Sequence, residues 1–322
     1  MEKYLITGFS GFVSKHFLDF LGSREEKCSV LGIDVHPPTF KFNSSSHLNC
    51  EFIDLNLLDK DAVQNVLYQF QPNYLLHLAS YSSVSFSWKN PILSFQNNTN
   101  IFLNILEALR LNNLQVRVLS VGSSEEYGNV EPKDIPLREE HSLRPLSPYA
   151  VARVSQEMLS RIYGEGYGLD IVLTRSFNHI GTGQSETFVI PSFAKQLVEG
   201  WMRGEKEIKL TTGDLTVVRD FLDVRDVVKA YYALLKKGRK GEVYNVCSGR
   251  GLSLAEIVKM MVEKLQVRCM TVTDKRLVRP KDNMVITGSN QKIKNETGWF
   301  PIVELETAMQ DILIDWKERL KV

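Results

Sequence analysis

The first half of the chain alternates short apolar runs with stretches of helical periodicity, and this alternation constrains the fold more than any other feature. Six apolar runs are typical of buried strands, at residues 3–7, 29–34, 51–55, 74–79, 116–121 and 170–174. Helical spacing of apolar residues occurs between them, at 12–21, 62–70, 95–111 and 147–163. Because strands that are apolar throughout and joined by helices form parallel sheets covered on both faces, the sequence predicts an α/β fold.

Right-handed crossovers between such strands give a doubly wound parallel sheet of the Rossmann type, whose ligands bind beyond the carboxyl ends of the strands. After residue 175 the alternation of apolar runs and helical stretches becomes irregular. Helices are predicted near residues 190–203, 224–236 and 253–265, and residues 274–295 form a polar stretch. We therefore expect a Rossmann domain over residues 1–175, with return segments near 214–247. A smaller, interleaved substrate-binding domain is expected over residues 176–322.

Charge and composition exclude several classes of function. The 39 Lys and Arg residues balance 38 Asp and Glu, so we expect no nucleic-acid or membrane partner, although a small basic pocket is compatible with this balance. No apolar run approaches the roughly 20 residues of a membrane span, and the first residues lack the apolar core of a secretory signal. The four cysteines are dispersed, without a CxxC pair, so we expect no metal site and a cytoplasmic location.

A glycine-rich turn joins the first strand to the first helix. Glycines at such a position allow a tight turn and let backbone N–H groups approach a pyrophosphate at the amino end of the helix. The expected contacts with a dinucleotide are Gly8, Ser10, Gly11, Phe12 and Val13. An ordinary strand–helix turn shares this pattern, and Ser14 departs from it by occupying the position of the third glycine.

Residues at the ends of the next strands bear on the choice of dinucleotide. Asp34 lies 23 residues after Gly11, where a carboxylate accepts hydrogen bonds from an adenosine 2′-hydroxyl and repels a 2′-phosphate. The sequence therefore favours NAD over NADP. The position of Asp54 after the third strand fits a simple structural cap as well as it fits a contact with adenine. The remaining expected cofactor contacts are Asp54 and Leu55 after the third strand and Leu78 and Ala79 at the end of the fourth.

Two further polar segments carry the candidate catalytic groups. Ser123, Ser124 and Glu125 follow the fifth strand, and Tyr149 and Arg153 lie four residues apart on one face of a long helix. A cation beside the phenol stabilises the phenolate and so assists proton transfer. A tyrosine at a helix start usually only packs, and adjacent carboxylates at a strand end are usually only solvated. It is their combination with the glycine-rich turn that indicates catalysis.

With these motifs in this order, the chain resembles the extended short-chain dehydrogenase/reductases, and among them the enzymes that act on GDP-linked sugars. The resemblance covers essentially the whole chain and includes the segments 175–179, 186–189, 218–224 and 279–299. It implies a nucleotide-diphosphate sugar as substrate, GDP-linked in preference to UDP- or dTDP-linked. The implied substrate contacts are Ser82, Asn178, Val189, Arg219, Arg279 and Asp282. A surface salt bridge is the alternative for either arginine, and a loop cap for Ser82.

The resemblance implies an NAD-dependent 4,6-dehydratase of a GDP-linked hexose such as GDP-mannose or GDP-N-acetylglucosamine. Tyr149 would take the C4 hydroxyl proton as hydride passes to NAD, and Ser123 would hold the C4 oxygen. Glu125 would then remove the C5 proton, and Glu125 or Ser124 would help water to leave from C6 before hydride returns there. Asp34 favours this self-recycling reaction, because reductases with an external hydride source more often use NADPH.

Two other functions stay open at this stage. Reductases of 4-keto-6-deoxy GDP-sugars carry an almost identical Ser-Ser-Glu-Glu-Tyr segment, so that segment does not separate the two reactions. A catalytically weak nucleotide-sugar-binding relative is the third reading, because Arg153 stands where the family has lysine and is not a neutral replacement.

Assembly is implied by the same resemblance. Residues 95–111 and 149–163 correspond to neighbouring helices that pair across a two-fold axis into a four-helix bundle in relatives. The apolar residues on both permit this pairing, so we expect a homodimer, with a tetramer left open.

Overall fold

A parallel sheet of seven strands forms the centre of the computed structural model, which describes residues 1–42, 46–278 and 283–321. In chain order the strands of the molecule are β1 (Glu2–Thr7), β2 (Cys28–Asp34), β3 (Leu48–Asp54), β4 (Tyr74–His77), β5 (Arg117–Ser123), β6 (Asp170–Ser176), β7 (Asn178–Ile180), β8 (Ile208–Thr212), β9 (Val218–Asp223), β10 (Val243–Val246), β11 (Gly251–Ser253), β12 (Cys269–Thr273) and β13 (Val285–Ile286). The central sheet has the order β10-β6-β5-β4-β1-β2-β3, and all of its pairings are parallel.

Helices cover both faces of this sheet. In chain order they are α1 (Phe12–Gly22), α2 (Lys60–Phe70), α3 (Val84–Lys89), α4 (Pro91–Leu111), α5 (Pro148–Gly166), α6 (Val189–Met202), α7 (Val224–Lys237), α8 (Leu254–Leu265), α9 (Gln291–Thr297) and α10 (Leu305–Arg319). One apolar core joins the sheet to α1 and α7, through side chains such as Phe17 and Tyr231. A second joins the opposite face to α2, α4 and α5, through Leu67 and Phe102. The predicted α/β, doubly wound architecture is confirmed.

The six predicted strands are all present, and the seventh comes from the second half of the chain. β10 pairs with β6 in parallel and lies within the expected return segment. β4 ends at His77, so Leu78 and Ala79 belong to the connection after it and not to the strand as predicted. The short helix α3, which follows that connection, has no predicted counterpart.

The second half adds its own layer. β9 pairs with β7, β11 and β13, while β8 and β12 form a separate parallel pair. The helices α6, α8 and α10 share a third apolar core, through Phe193, Met261 and Ile312 among others. Residues 291–297 form a helix that has no predicted counterpart and that begins within the polar stretch at 274–295; α9 buries Ile293 fully against the first core. The domain boundary near residue 175 stays a prediction.

The strand order fixes where a ligand can bind. From β1 the chain winds to β2 and β3 on one side and then to β4 and β5 on the other. The helical connections diverge at this reversal and leave a crevice beyond the carboxyl ends of β1 and β4. Gly8, Leu78 and Asp34 follow or end strands at this edge. In the described part of the chain, no helix is both long and apolar enough to cross a bilayer.

A glycine within β2 controls the position of the turn after β1. A Cβ atom on Gly32 would lie 2.2 Å from the Phe9 ring, which is fully buried among Phe40, Phe42 and Phe52. We expect G32A to lower the free energy of unfolding by about 1–3 kcal/mol, as overpacked cores do, and to weaken dinucleotide binding by displacing residues 8–11. Urea unfolding and cofactor titration measure the two effects.

The matched control for this variant is G166A, at the end of α5, where a Cβ would meet nothing within 4 Å. It should leave both quantities nearly unchanged. An unfolding curve of G32A that coincides with that of G166A would contradict the proposed steric coupling.

Candidate active site

The turn between β1 and α1 is held by glycine geometry and by an unexpected serine. Gly8 has φ +70°, and a Cβ there would lie 2.7 Å from the Ala79 backbone nitrogen, so only glycine fits. Ser14 is fully buried, and its hydroxyl donates a 3.0 Å hydrogen bond to the Gly8 carbonyl. The serine in the third glycine position therefore ties the helix to the turn by a hydrogen bond.

The amino end of α1 is open to an anion. Gly11 is the N-cap residue, and within residues 1–42, 46–278 and 283–321 no side chain caps the helix. No acidic residue lies in the first turn, where Phe12 and Val13 are half-buried. Backbone N–H groups at such an end, together with the helix dipole, favour a negatively charged group. The turn and the helix end therefore fit the pyrophosphate of a dinucleotide.

Asp34 lies directly beside this turn. Its carboxylate accepts hydrogen bonds from the backbone N–H groups of Ser10 (3.0 Å) and Val35 (2.7 Å). These contacts fix the negative charge at the end of β2, where an adenosine ribose would lie. Asp54 is the exposed partner of Asp34 in the β2–β3 register, and Leu55 is buried next to it. The expected cofactor residues thus lie along one edge of the sheet.

Tyr149 and Arg153 meet on the first turns of α5, as their spacing predicts. The Arg153 Nε donates a 3.2 Å hydrogen bond to the Tyr149 hydroxyl, and the guanidinium also lies 5.3 Å from the centre of the phenol ring. Tyr149 is 6% and Arg153 4% exposed. The dyad is therefore preassembled and largely shielded from water.

The other guanidinium donors reach three further groups. Arg153 Nη1 donates to the Val121 carbonyl at 3.0 Å and to the Gln156 side-chain oxygen at 2.6 Å, and Nη2 donates to the Ser80 hydroxyl. Gln156 is held in turn by the Ser120 hydroxyl at 2.9 Å. Neither Gln156 nor Ser80 is predicted from the sequence as a partner of Arg153. Gln156 lies three residues from Arg153 on one helix face, a signal that was available, whereas Ser80 is 73 residues away.

The charge of Arg153 has no carboxylate counter-ion among the residues that the structure describes. Its acceptors are a phenol, a carbonyl, an amide and a hydroxyl. A buried cation without an ion pair is costly unless its hydrogen bonds are satisfied, as they are here. The positive charge of Arg153 can therefore stabilise a phenolate at Tyr149.

His77 and Thr7 support the connection after β4. The Thr7 hydroxyl lies 2.8 Å from His77 Nδ1 and accepts a 3.3 Å bond from the Ala79 backbone N–H. Complete burial, with the nearby Arg153 charge, lowers the pKa of His77 to about 3, so the imidazole is neutral. The Asn98 side chain of α4 accepts a 2.7 Å hydrogen bond from the Tyr81 backbone N–H and donates a 3.1 Å hydrogen bond to the Tyr81 carbonyl. These contacts fix the segment that carries Ser80, while Ser82 is exposed on the same segment.

Ser123 ends β5 and caps the 3-10 helix Ser124–Tyr127. Its hydroxyl accepts a 3.2 Å bond from the Glu125 backbone N–H. Ser124 is buried and Glu125 half-buried, and this short helix packs against α5. The structure thus brings residues 123–127, called the Ser123 segment below, next to α5, the helix of Tyr149.

The expected sugar-nucleotide residues lie in the layer built on β9. Asn178 of β7 pairs with Phe221 of β9, two residues from Arg219. Arg219 is half-buried, and its guanidinium donates 2.8 Å bonds to the carbonyls of Val218 and Asn283. Val189 is the partly exposed first residue of α6. Arg279 and Asp282 lie outside the described residues.

A buried carboxylate keeps this layer in place. Asp220, next to Arg219, accepts hydrogen bonds from the backbone N–H groups of Ser248, Gly249 and Gly288 and from the Ser248 hydroxyl. Burial raises its pKa to about 6 even though these bonds oppose the shift. Asp220 therefore joins β9 to the segments after β10 and β13.

These features are those of a short-chain dehydrogenase/reductase. The family model described as GDP-mannose 4,6 dehydratase matches residues 5–312, and the chain belongs to this family. Solved structures of this fold were determined with NADPH or with NAD, so a nicotinamide cofactor is a property of the fold group.

Two relatives and one solved structure show what the chain is similar to. The chain is 32% identical to the GDP-6-deoxy-D-mannose reductase of Pseudomonas aeruginosa, over 99% of each chain. It is 24% identical to the GDP-mannose 4,6-dehydratase of Yersinia enterocolitica, over 97% of this chain and 93% of that one. The structure of RMD from Pseudomonas aeruginosa complexed with NADPH superimposes with a TM-score of 0.86 at 31% identity, and covers 99% of this chain and 100% of that chain. The fold and the GDP-sugar enzyme family are thereby established.

The arginine of the dyad has a testable consequence. We expect R153K to lower the free energy of unfolding by about 1–3 kcal/mol, because lysine cannot serve Ser80, Gln156 and the Val121 carbonyl together and leaves buried acceptors unpaired. R153K should keep most of the turnover, since it keeps a cation beside Tyr149. R153M, which removes the charge, should lower kcat by about 10²-fold or more.

Urea unfolding and steady-state kinetics measure these effects. The control is R161K on the same helix, where the arginine is partly exposed and pairs with Glu157. Equal losses of turnover in R153K and R153M would show that the charge is not what Arg153 contributes.

Proposed function

We propose that this protein is a reductase of a GDP-linked 4-keto-6-deoxyhexose, with a nicotinamide cofactor as hydride donor. The observation that carries the proposal is the preassembled Tyr149–Arg153 dyad on α5, the helix that packs against the 3-10 helix capped by Ser123. This set of groups is sufficient for redox chemistry at one sugar carbon. The similarity to a GDP-6-deoxy-D-mannose reductase along the whole chain supports the same substrate class.

The reaction assigns a role to each group of the chain. A nicotinamide cofactor held at the β1–α1 turn would supply hydride to C4 of the sugar. Tyr149 donates its hydroxyl proton to the C4 oxygen, and the neighbouring Arg153 guanidinium stabilises the resulting phenolate. Ser123 holds the same oxygen by a hydrogen bond and so orients the carbonyl. Arg219 and Asn178 are proposed to bind the GDP moiety, with the arginine as a donor to the diphosphate.

The balance between reduction and dehydration depends on the extra groups that dehydration needs. A dehydratase requires a base at C5 and assistance to the leaving water at C6. Ser124, one of the two side chains expected to give that assistance, is nearly as deeply buried as Tyr149. Glu125 is half-buried at the expected base position, and this favours 4,6-dehydration of a GDP-linked hexose as the second candidate. The chemistry of the first proposal needs only Tyr149, Arg153 and Ser123.

The preferred cofactor is proposed to be NADH. The Asp34 carboxylate is held by two backbone N–H groups at the edge where the adenosine ribose would lie. A fixed negative charge there repels a 2′-phosphate. The relative whose structure contains NADPH does not decide the matter for this chain, because the preference depends on the charges at this one edge.

One set of assays tests the reaction. With GDP-4-keto-6-deoxymannose and added NADH, we expect stoichiometric oxidation of the cofactor and formation of the 6-deoxyhexose, at a higher kcat/KM than with NADPH. Y149F should lower kcat by about 10²- to 10⁴-fold with little change in cofactor affinity. Product analysis by mass spectrometry and absorbance of the reduced cofactor are the readouts.

The same protein is then incubated with GDP-mannose or GDP-N-acetylglucosamine and no reduced cofactor. Loss of one water from either sugar would replace the reductase proposal with the dehydratase. Binding of GDP-sugar and cofactor without turnover of any of these substrates would leave only a binding function.

A second copy of the chain is the proposed partner for the outer face of α4 and α5. These helices pack side by side and expose apolar side chains, namely Ile92, Phe95, Leu111, Val151, Met158 and Ile162. Exposed apolar residues that continue across two neighbouring helices are typical of a protein interface. Pairing about a two-fold axis would bury this surface in a four-helix bundle.

We expect I162E to convert a dimer into a monomer that retains its fold, because a charge at a position that is 58% exposed in the single chain is costly only in the interface. Light scattering after size-exclusion chromatography measures the mass. I302E, at an equally exposed isoleucine outside α4 and α5, is the control and should remain dimeric. Wild-type protein that is monomeric at micromolar concentration would rule out this interface.

A further inference from the structure

A buried pair of carboxyl groups lies behind the Ser123 segment, and the proposed reaction does not use it. Glu126 is completely buried, and its Oε1 accepts a 2.7 Å hydrogen bond from the Ser123 backbone N–H. Its Oε2 is also buried and receives no hydrogen bond from the described residues. Glu157 of the adjacent helix α5 is the charged group that acts most strongly on this carboxyl. A buried carboxylate oxygen that receives no hydrogen bond is costly, and protonation of the carboxyl removes this cost.

The sequence provides space for this arrangement. Gly122 precedes Ser123 in β5, and a Cβ there would lie 2.3 Å from Glu126 Oε1 and 2.5 Å from the Thr174 carbonyl. Both neighbours are fixed, one by its bond to Ser123 and the other by the sheet. A glycine is therefore needed for the Glu126 carboxyl to lie against the strand.

Glu157 is already the partner of two cations. Arg175 donates to its two oxygens at 2.9 Å and 3.0 Å, and Arg161 donates a 3.0 Å bond from the same helix. Burial acts to raise the pKa of Glu157, but these guanidinium groups hold it below its usual value. Burial and the Glu157 charge raise the pKa of Glu126 well above its usual range. The proton of the pair therefore belongs to Glu126.

The other charged and titratable groups around the pair have fixed partners. Tyr127, on the same short helix as Glu126, donates to Asn245, and the Arg175 guanidinium lies 4.8 Å from its ring centre. Glu139 accepts a 2.8 Å bond from the Asn245 backbone N–H, and its carbonyl accepts from Arg175. Glu157 of α5 and Arg175 of β6 are thus the charged groups that act on Glu126, while Arg161, Tyr127 and Glu139 contact these two groups or Asn245.

We propose that Glu126 is a positioning residue that stays protonated, donates to Glu157 and accepts from Ser123, and thereby fixes the Ser123 segment against α5. Glu157 lies four residues from Arg153 and eight from Tyr149, so all three share one face of the helix. The link therefore joins Ser123 to the same helix face that carries the dyad. Its catalytic part rests on the proposed function, whereas the protonated state of Glu126 does not.

The first test measures stability and needs no substrate. Because Glu126 keeps its proton in the folded protein and loses it in the unfolded chain, wild-type stability should fall as pH rises from the usual carboxyl pKa through the raised one. E126Q retains both contacts and has no proton to lose. Between about pH 5 and pH 8, the unfolding constant of wild type relative to E126Q should rise by up to tenfold per pH unit, the slope for one proton.

The matched control is E140Q, which removes an exposed carboxyl from the neighbouring loop and should follow wild type. Parallel pH dependences for wild type and E126Q would overturn the proposal. If E126Q does not fold, the carboxyl carbons of wild type labelled with 13C-glutamate give the answer. A glutamate that is protonated at neutral pH and persists in E139Q supports the proposal, and the absence of such a signal overturns it.

The second test concerns the reaction. Ionisation of Glu126 at alkaline pH should lower wild-type kcat, and E126Q should lack this decline. E126L, which loses both contacts, should lower kcat about tenfold across the pH range with cofactor affinity unchanged, while E126Q retains the wild-type value at neutral pH. A decline at alkaline pH that is identical in wild type and E126Q would contradict the positioning role. Protein that fails the reductase assay but passes the stability test would refute the proposed function alone.

Discussion

The site depends on a single buried guanidinium. Arg153 connects the end of β4 through Ser80, the end of β5 through the Val121 carbonyl, and its own helix through Gln156 and Tyr149. All four acceptors are uncharged in the resting protein. These hydrogen bonds satisfy the guanidinium donors and leave the positive charge of Arg153 uncompensated. A carboxylate in an ordinary salt bridge would neutralise that charge and so weaken its effect on Tyr149. The arrangement therefore explains how arginine can occupy a position where lysine is usual.

Helix α5, which carries Arg153, also connects the site to β6 of the central sheet. Tyr149, Arg153, Glu157 and Arg161 follow at intervals of four, so one stripe of α5 carries the Tyr149–Arg153 dyad and, after it, the ion pair of Glu157 with Arg161. Glu157 joins this stripe to Arg175 of β6. A displacement of α5 would consequently disturb the phenol, the guanidinium and the Ser123 segment together.

Sequence reasoning succeeded where the determining interactions are local. The six strands follow from runs of apolar residues, and the Tyr149–Arg153 contact follows from helical spacing, which needs no knowledge of the rest of the fold. It failed where a short element is stabilised only by distant partners. β7, β11 and β13 have two or three residues each, and they exist because β9 offers edges to pair with. Ser80 is another such case, because nothing in its local sequence indicates a guanidinium acceptor.

Ser14, at the third glycine position of the cofactor turn, is a further residue whose stabilising contact cannot be read from the local sequence. Sequence comparison presents Ser14 as a departure, whereas in the structure its hydroxyl holds the Gly8 carbonyl and Asp34 holds the Ser10 N–H from the other side. A turn fixed at both ends needs little further ordering when a dinucleotide binds, and the entropic cost of binding falls accordingly. Such a preformed turn favours dinucleotide binding in either of the two proposed reactions, reduction or dehydration.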